Sequence, residues 1–496
     1  MHPLTLLLLL PIFGAILILA TPGQATKLIR QMAIGASTLT LLVSISLIGL
    51  FDHHITSLQL YHVVPWNPRL GTSFSLGIDG LSLPLILLST LLSLIAILAS
   101  SSIQERVKSY YLFMLMLQSA MLGVFMAQDW SLFYLFWEFT LIPLFFLIDR
   151  WGGPKRQTAS LNFVLYTMGG SVFMLLSILV LFDASSNHSF SILSIRTAAN
   201  SLPVDTQILI FLGFLIGFGV KMPIFPMHGW LPLAHVQAPS PVSILLSGVL
   251  LKMGSYGLIR AAVTLPQAVI ALQDILAGLA LFSLVYGGLL AWKQTDLKRM
   301  IAYSSVSHMG VVLLGIAALN EAGLNGAIMQ MVAHGLVAGA LFLLIGLLYE
   351  RTHTREITHY SSLVQVMPKF AFFTTVAFLA AVAMPGTASF IAELHAIIGG
   401  FERWGWWISL ISLGVLISAA YAIRTVTRLF TGPVRAEMQT IPDLRPTEMV
   451  SASILTFLVI YLGFFPAGLL DLMSATVSNM SSIFYAAFQF KINAGL

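Results

Sequence analysis

Apolar runs of about 18 residues or more recur along the whole chain, separated by short polar connections. Runs of that length cross a bilayer as helices. The longest connections, 51–79 and 183–206, are too short to fold alone. We therefore predict an all-α polytopic membrane protein, with one transmembrane domain over residues 1–496. The pattern predicts about fourteen spans, at 3–20, 30–50, 80–99, 109–127, 130–148, 160–182, 207–227, 239–262, 268–291, 300–319, 323–349, 368–400, 406–430 and 449–472.

Two of these spans carry residues that break a helix. The seventh ends in VKMPIFPMHGWLP, whose three prolines cannot donate to a helical ladder, and the twelfth contains Pro385 and Gly386 in MPGTASF. Irregular backbone at membrane depth survives only where protein or a water-filled cavity satisfies it. Broken helices at matching positions of two halves indicate inverted repeats around a transport path. We predict two inverted five-helix repeats, roughly 109–262 and 268–430.

The basic residues predict an orientation. When alternate connections are compared, 17 of the 24 Lys and Arg residues fall on one side and 5 on the other. The basic side is expected to face the cytoplasm. An even number of spans then places both termini in the periplasm or lumen. The first span lacks a basic lead-in and an A-x-A site, so we expect a retained helix rather than a cleaved signal peptide.

Composition restricts the chemistry of this chain. Its residues are 58% hydrophobic and 9% charged, where a soluble protein would carry about 25% charged residues. Cysteine is absent, which excludes disulfides, iron–sulfur clusters and thiolate metal sites. No Gly-rich phosphate loop follows a strand, so nucleotide binding is not expected. The net charge of +5 arises from short loops and gives no reason to expect nucleic acid. Redox chemistry that drives this protein must therefore lie in other chains.

Four ionisable side chains lie within or beside predicted spans: Glu138, Lys221, Lys252 and Glu393. A charge at the bilayer centre costs roughly 2.5–3.5 kcal/mol on insertion scales, so such residues need a partner or a water path. An acid and two amines at membrane depth indicate proton or ion handling.

Glu138 and Lys221 are predicted to form an ion pair. Glu138 lies near the middle of the fifth span, and Lys221 lies just before the first break. At about 4 Å such a pair is worth roughly 4 kcal/mol at an effective dielectric of 20. Forming or breaking it would change the proton affinity of the lysine by about three pKa units. The alternative is that Glu138 is a protonated acid in an interhelical hydrogen bond.

Lys252 is a candidate central relay site, because its distance from both span ends makes snorkelling to an interface difficult. His308 and His334 lie beside small and polar residues that could admit water, and a near-neutral pKa suits stepwise proton transfer. Packing without a relay role stays the alternative for both histidines. Glu393, just after the second break, is either the exit-side proton site or a cap on the broken helix.

Three further histidines, His228, His235 and His395, are candidates for loop or access roles. Metal binding is not predicted at His308 and His334, because no carboxylate or third histidine has convincing spacing. The 21 methionines are spread through the spans and are interpreted as packing residues.

Four motifs resemble one known family. They are GIDGLSLPL at 77–85, WEFTLIPLFFLI in the fifth span, VKMPIFPMHGWLPLAHVQAPSPVSILLSGVLLKMGSYGLIR across the seventh and eighth, and PGTASFIAEL in the twelfth. Together they resemble the antiporter-like proton-pumping subunits of the NADH:quinone oxidoreductase (complex I) superfamily, over residues 77–430. The glutamate at 393 resembles the subunit 4 type, since its siblings generally carry lysine there. FFLIDRWGG and LNFVLYTMGG are most similar to cyanobacterial versions.

The resemblance implies a role for each candidate residue. Glu138 would be the modulating acid, Lys221 its partner and Lys252 the central relay. His308 and His334 would be relay histidines, and Glu393 the last site before release. It also implies fourteen helices, sibling antiporter-like subunits and hydrophilic subunits as partners, and quinone and iron–sulfur clusters held by those other subunits. A cyanobacterial thylakoid or a bacterial inner membrane, with its lipids, would be the location.

The primary functional hypothesis is a translocase subunit without redox chemistry of its own, which moves protons from cytoplasm to lumen or periplasm. One alternative is a subunit of a multisubunit Na⁺(K⁺)/H⁺ antiporter, which would show cation-dependent transport. A second is a scaffold whose buried charges serve assembly. A quinone-binding chain is a weaker third, since no loop favours a ring pocket.

Overall fold

The computed structural model describes residues 2–493, without the side chains of Pro68 and of residues 491–493. Residues 1 and 494–496 lie outside it, as does the side chain of Lys491, which the charge comparison placed on the less basic side. The elements of the first half are α1 Pro3–Ala20, α2 Thr26–Leu50, β1 Gln59–Asn67, β2 Thr72–Ile78, α3 Ser82–Leu98, α4 Val107–Met126, α5 Trp130–Phe139, α6 Leu141–Trp151, α7 Arg156–Ala184, α8 Ile192–Ala199, α9 Val204–Lys221 and α10 Trp230–Gln237.

The second half is helical throughout its described elements. They are α11 Ser240–Leu245, α12 Leu251–Thr264, α13 Pro266–Ala271, α14 Gln273–Lys293, α15 Leu297–Ala318, α16 Glu321–Thr352, α17 Leu363–Val366, α18 Pro368–Ala381, α19 Ala388–Trp404, α20 Ile411–Phe430, α21 Pro446–Phe464 and α22 Ala467–Asn493. A π-helical turn, Leu246–Leu250, joins α11 to α12.

The polytopic all-α prediction is confirmed. Within residues 2–493, 13 segments are long and apolar enough to cross a membrane by length and composition. A helix satisfies its own backbone groups, which is what an apolar environment demands. The predicted count of fourteen spans, the inverted repeats and the side on which the termini lie stay predictions.

Short polar side chains begin three of the spans that carry candidate residues. Asp129 accepts hydrogen bonds from the backbone N–H groups of Ser131 and Leu132 at the start of α5. Asp296 caps α15 and Asn320 caps α16 in the same way. Each cap satisfies backbone donors that the first turn of a helix leaves free. The caps therefore set the start of the helices that present Glu138, His308 and His334.

The segments that carry the central candidates lie in the middle of the molecule. The most apolar stretches of Ser240–Thr264 and Glu321–Thr352 are completely buried, and that of Leu297–Ala318 is 94% buried. By contrast, the most apolar stretch of the outer span Thr26–Leu50 is only 28% buried. Lys252, His334 and His308 are therefore enclosed by protein rather than placed against lipid.

Both predicted helix breaks are present. The first separates α9 from α10 and covers residues 222–229, directly after Lys221. The second separates α18 from α19 and covers residues 382–387. Gly386 in the second break has φ +91°, a conformation that L-residues with a side chain rarely adopt. The sequence rule that proline and glycine interrupt a buried helix is thus confirmed at both sites.

A strand hairpin and a final helix are among the elements that were not predicted from the sequence. Strands β1 and β2 form an antiparallel hairpin inside the 51–79 connection. Helix α22 begins three residues after α21 ends, so the predicted last span, 449–472, is instead α21 followed by a separate helix. Thr476 of α22 accepts a hydrogen bond from the Gly80 N–H at 2.9 Å, and Phe488 packs against the Arg403 guanidinium. Helix α22 therefore contacts segments from both halves of the chain.

Candidate functional site

Four of the predicted residues form one buried chain of neighbours. Lys252 Nζ lies 2.6 Å from His334 Nδ1, and the rings of His334 and His308 have centroids 5.4 Å apart. His308 Nδ1 lies 3.6 Å from Glu393 Oε1. The residues come from α12, α16, α15 and α19, so folding brings together groups separated by up to 141 positions in the sequence (252 to 393). Of the predicted set, Lys252, His334, His308 and Glu393 are thus collected into one site.

The π-helical turn places Lys252. Its Nζ donates to the carbonyl oxygen of Ser247 at 2.6 Å, within the same π turn. A π turn disturbs the regular ladder of backbone bonds and is often found at functional sites. The Ser247 hydroxyl lies 3.1 Å from that of Ser305 on α15. The lysine is therefore held between one backbone acceptor and His334, with no carboxylate in contact.

A small cavity lies at the far end of the chain, between His308 and Glu393. Its volume is about 10 Å³, room for about one water molecule. Ser418 of α20 adds a hydroxyl to the wall. Both ring nitrogens of His308 are buried without a hydrogen-bond partner among the described residues. His308 and Glu393 both line this cavity, so a single water in it has an imidazole and a carboxylate in its wall.

The predicted ion pair between Glu138 and Lys221 is not formed. Lys221 Nζ donates instead to Thr140 Oγ1 at 2.9 Å and to the Trp137 carbonyl oxygen at 3.4 Å. It also lies 4.0 Å from the centre of the Trp137 ring. Among the described residues, Lys221 has no carboxylate within 4.0 Å. The prediction failed because neutral groups on α5 and at its end already satisfy the amine.

Glu138 lies at the edge of the molecule rather than in its centre. It lines an open apolar groove of about 1140 Å³, together with Tyr134, Ile142 and Phe146. Its Oε1 atom is nonetheless buried and has no hydrogen-bond partner among the described residues. A buried carboxylate oxygen without a partner is costly. The hydrogen bonds of Lys221 go to Thr140 and Trp137 instead of to this carboxylate.

The access histidines occupy different environments. His235 is fully buried, stacks on Phe342 at a centroid distance of 4.4 Å, and has two ring nitrogens without partners in the described residues. His228 lies at the first break among aromatic rings, including those of Phe225 and Tyr286. His395 Nδ1 contacts the Ile391 carbonyl on its own helix. None of the three lies within hydrogen-bonding distance of the four-residue chain.

Two charges that the charge comparison counted with the connections are buried on helices, although Arg260 lies inside the predicted span 239–262. Lys298, in the first turn of α15, donates to the Ala238 carbonyl, and 2% of its surface is exposed. Arg260, near the end of α12, forms two contacts to Asp79, at 2.7 Å and 2.9 Å. Counting them as loop charges was therefore wrong. The spacing Lys252, Tyr256, Arg260 was the available signal, since residues four apart share one face of a helix.

One group of side chains in the described residues could hold a metal ion. The ligand atoms of Asp52, His53 and His54 all lie within 4.8 Å of one another, on the segment between α2 and β1. All three side chains are exposed. This turn is distinct from the buried chain, whose histidines contact a lysine and a carboxylate instead.

The arrangement suits stepwise movement of protons. Lysine, histidine and carboxylate can each take up and give up a proton. Lys252 and His334 are at hydrogen-bond distance, His308 and Glu393 are 3.6 Å apart, and the two histidine rings between them have centroids 5.4 Å apart. Lys221 with its acceptors forms a second group. No hydrogen bond among the described residues joins the two groups directly.

Comparisons with known proteins identify the family of this chain. Residues 127–418 match the family model described as NADH:quinone oxidoreductase/Mrp antiporter, transmembrane. The chain is 42% identical over 475 residues to NAD(P)H-quinone oxidoreductase chain 4 2 of Thermosynechococcus vestitus, covering 93% of this chain and 89% of the relative. It is 42% identical over 476 residues to chain 4 1 of Synechococcus elongatus, covering 93% and 88%.

A solved structure is also similar over nearly the full length. A chain of respiratory complex I from Thermus thermophilus with bound NADH superposes with a TM-score of 0.89 at 31% sequence identity. The similarity covers 97% of this chain and 99% of that chain. The family resemblance inferred from four motifs is thus confirmed by relatives that extend well beyond those motifs.

Proposed function

Because this chain belongs to the NADH:quinone oxidoreductase/Mrp antiporter transmembrane family, we propose that it moves protons across a membrane as one subunit of a redox-driven quinone oxidoreductase. The observation that carries this function is the buried chain from Lys252 through His334 and His308 to Glu393. Four ionisable groups in contact inside an apolar molecule are costly to keep. A path for protons explains why these four groups lie next to one another in the folded protein.

The chain acts as a translocating subunit without redox chemistry of its own. The named relatives are chains of NAD(P)H-quinone oxidoreductases, and the absence of cysteine denies this chain an iron–sulfur cluster. Quinone and iron–sulfur clusters therefore belong to other subunits, with NAD(P)H or ferredoxin as the electron source. Moving one charge against 100 mV costs about 2.3 kcal/mol, which must reach this chain through conformational or electrostatic coupling.

The same relatives support a proposal for the partners and the location. Both named relatives are cyanobacterial, and both are chains of a larger enzyme. We place this chain beside other membrane subunits, including antiporter-like siblings, and beside hydrophilic subunits, in a thylakoid membrane or a bacterial inner membrane. The proposed direction is from cytoplasm to lumen or periplasm, and the excess of basic residues on one side indicates which face of the chain is cytoplasmic.

The defining test is Lys221→Ala in the intact complex, assayed as redox-driven proton uptake in sealed vesicles. We expect assembled complex with fewer protons moved per electron, because alanine removes the proton-carrying amine. That amine is buried and donates to Thr140 and to the Trp137 carbonyl. A native gel of the same preparation reports assembly.

Each other outcome identifies a different function. Unchanged pumping per electron in assembled complex would contradict a proton path that includes Lys221. Loss of assembly would favour the scaffold, and a requirement for Na⁺ or K⁺ in transport would favour the cation/proton antiporter.

A further inference from the structure

Thr140 occupies a position that no sequence motif assigns to proton transfer. It lies between α5 and α6, two residues after Glu138, and its side chain is completely buried. Its hydroxyl donates to the Trp137 carbonyl at 2.7 Å. Because that bond uses the only hydroxyl proton, the remaining capacity of Oγ1 is that of an acceptor. Lys221 Nζ lies at 2.9 Å, where it donates to Oγ1.

The Lys221 ammonium is fully satisfied in this position. An ammonium group has three N–H donors. Thr140 Oγ1 and the Trp137 carbonyl accept two of them, at 2.9 Å and 3.4 Å, and the face of the Trp137 ring receives the charge at 4.0 Å. None of these three acceptors is charged. The protonated lysine is therefore held without a carboxylate.

This arrangement leaves Glu138 without the lysine as a partner. Its Oε1 atom is buried and unpaired in the described residues, although it lies on the same helix as Trp137. Glu138 directly follows Trp137 and lies two residues before Thr140, and both of those residues contact Lys221. Glu138 and Thr140, two residues apart in one span, are thus two alternative partners for the same amine. The first is a carboxylate and the second is a neutral hydroxyl.

We propose that Thr140 is a positioning residue that holds protonated Lys221 in a second, unpaired position in competition with Glu138. This inference rests on the proposed function, since it concerns how the lysine passes its proton on. In the paired position the carboxylate retains the proton on the amine. In the position held by Thr140 the ammonium is free of the carboxylate, and its proton can be transferred to the next acceptor.

The hydrogen bond from Lys221 to the Thr140 hydroxyl is strong enough to change the populations of the two lysine positions. A hydrogen bond to a charged group corresponds to a factor of roughly ten to a hundred in population. Thr140→Val keeps the shape of the side chain and removes the acceptor. The amine should then return to Glu138, and onward transfer should slow.

The experiment measures protons moved per electron in vesicles containing the intact complex, with assembly checked by native gel. We expect Thr140→Val to remove at least half of the pumping that Lys221→Ala removes. Thr140→Ser, which keeps the hydroxyl, should pump within about twofold of the wild type. Thr167→Val is the matched control, because that buried hydroxyl bonds only to carbonyls of its own helix. Thr140→Ala replaces the valine variant if the latter does not assemble.

A double variant tests the competition itself. In a Glu138→Gln background the competing charge is gone, so adding Thr140→Val should lower pumping far less than it does alone. Wild-type pumping in Thr140→Val, or equal losses in the valine and serine variants, would overturn the role of the hydroxyl. If Lys221→Ala itself pumps normally, the proposed function fails first, and the two failures are thereby distinguished.

Discussion

Replacing Lys252 with methionine is expected to stop proton transfer through this chain while the complex still assembles. Lys252 is the link between the Ser247 carbonyl and His334, with 2.6 Å contacts to both. Methionine fills a similar volume but has no ionisable group. A proton would therefore have to pass the position of residue 252 without a group that can bind it. With a charge penalty of roughly 2.5–3.5 kcal/mol, transfer through this chain should slow about a hundredfold. The measurement is protons moved per electron in sealed vesicles.

The control for this variant is Lys369→Met, which removes an exposed lysine from the start of α18. Its pumping should equal that of the wild type. Equal pumping in assembled Lys252→Met complex would show that protons bypass α12, and the buried chain would lose its assigned role.

Replacing Arg260 with methionine is expected to destabilise the protein by about 3–5 kcal/mol, because it leaves Asp79 buried and unpaired. The two side chains share contacts at 2.7 Å and 2.9 Å, and they join the end of α12 to the start of α3. The measurement is the temperature at which the complex leaves the assembled band on a native gel. Arg150→Met, which breaks an exposed pair with Asp149, should cost under about 1 kcal/mol.

The double variant Asp79→Leu/Arg260→Met separates charge from packing. It removes both charges, so it should recover much of the stability lost in Arg260→Met. A double variant as unstable as the single one would show that the cost lies in packing against Tyr256, whose ring lies 4.9 Å from the guanidinium. The carboxyl group also adds a pH dependence.

Burial alone would raise the pKa of Asp79, but the Arg260 guanidinium and the hydrogen bonds from Ser82 outweigh it and hold the pKa below the usual 3.8. The ionised form is thus the one the fold favours. The stabilisation it supplies is present above pH 3.8 and is lost as the pH falls through the lowered value. Assembled complex should therefore lose this pair only in strong acid.

The spans and their breaks could be predicted because each depends on local composition. Long apolar runs predict helices, and the prolines and Gly386 predict interruptions, since both effects act within a few residues. The central lysine and the two histidines could be identified as unusual for the same reason. Which of them meet depends on the packing of distant helices. The contact between Lys252 and His334 joins positions 82 residues apart, and no local pattern encodes it.

The errors have a common physical cause. The Glu138–Lys221 pair was predicted from opposite charge, which is the strongest pairwise rule, but a neutral hydroxyl and a carbonyl can satisfy an ammonium as well. Arg260 and Lys298 were counted with the connections in the charge comparison, because charges usually lie there, while Asp79 and a carbonyl hold them inside. Helix α22 and the β1–β2 hairpin were missed because the prediction searched for long apolar runs: β1 and β2 are short strands, and polar residues interrupt the sequence of α22.

The π-helical turn at Leu246–Leu250 has a consequence for the direction in which α12 faces. An α-helix advances about 100° with each residue. A turn that holds one extra residue therefore changes the angular phase of everything after it by about that amount. If residues 240–264 formed one regular helix, Lys252 would lie on a different face of that helix and would not face His334. The contact between Lys252 and His334 thus depends on the backbone, through the one extra residue in this turn, as well as on the side chains themselves.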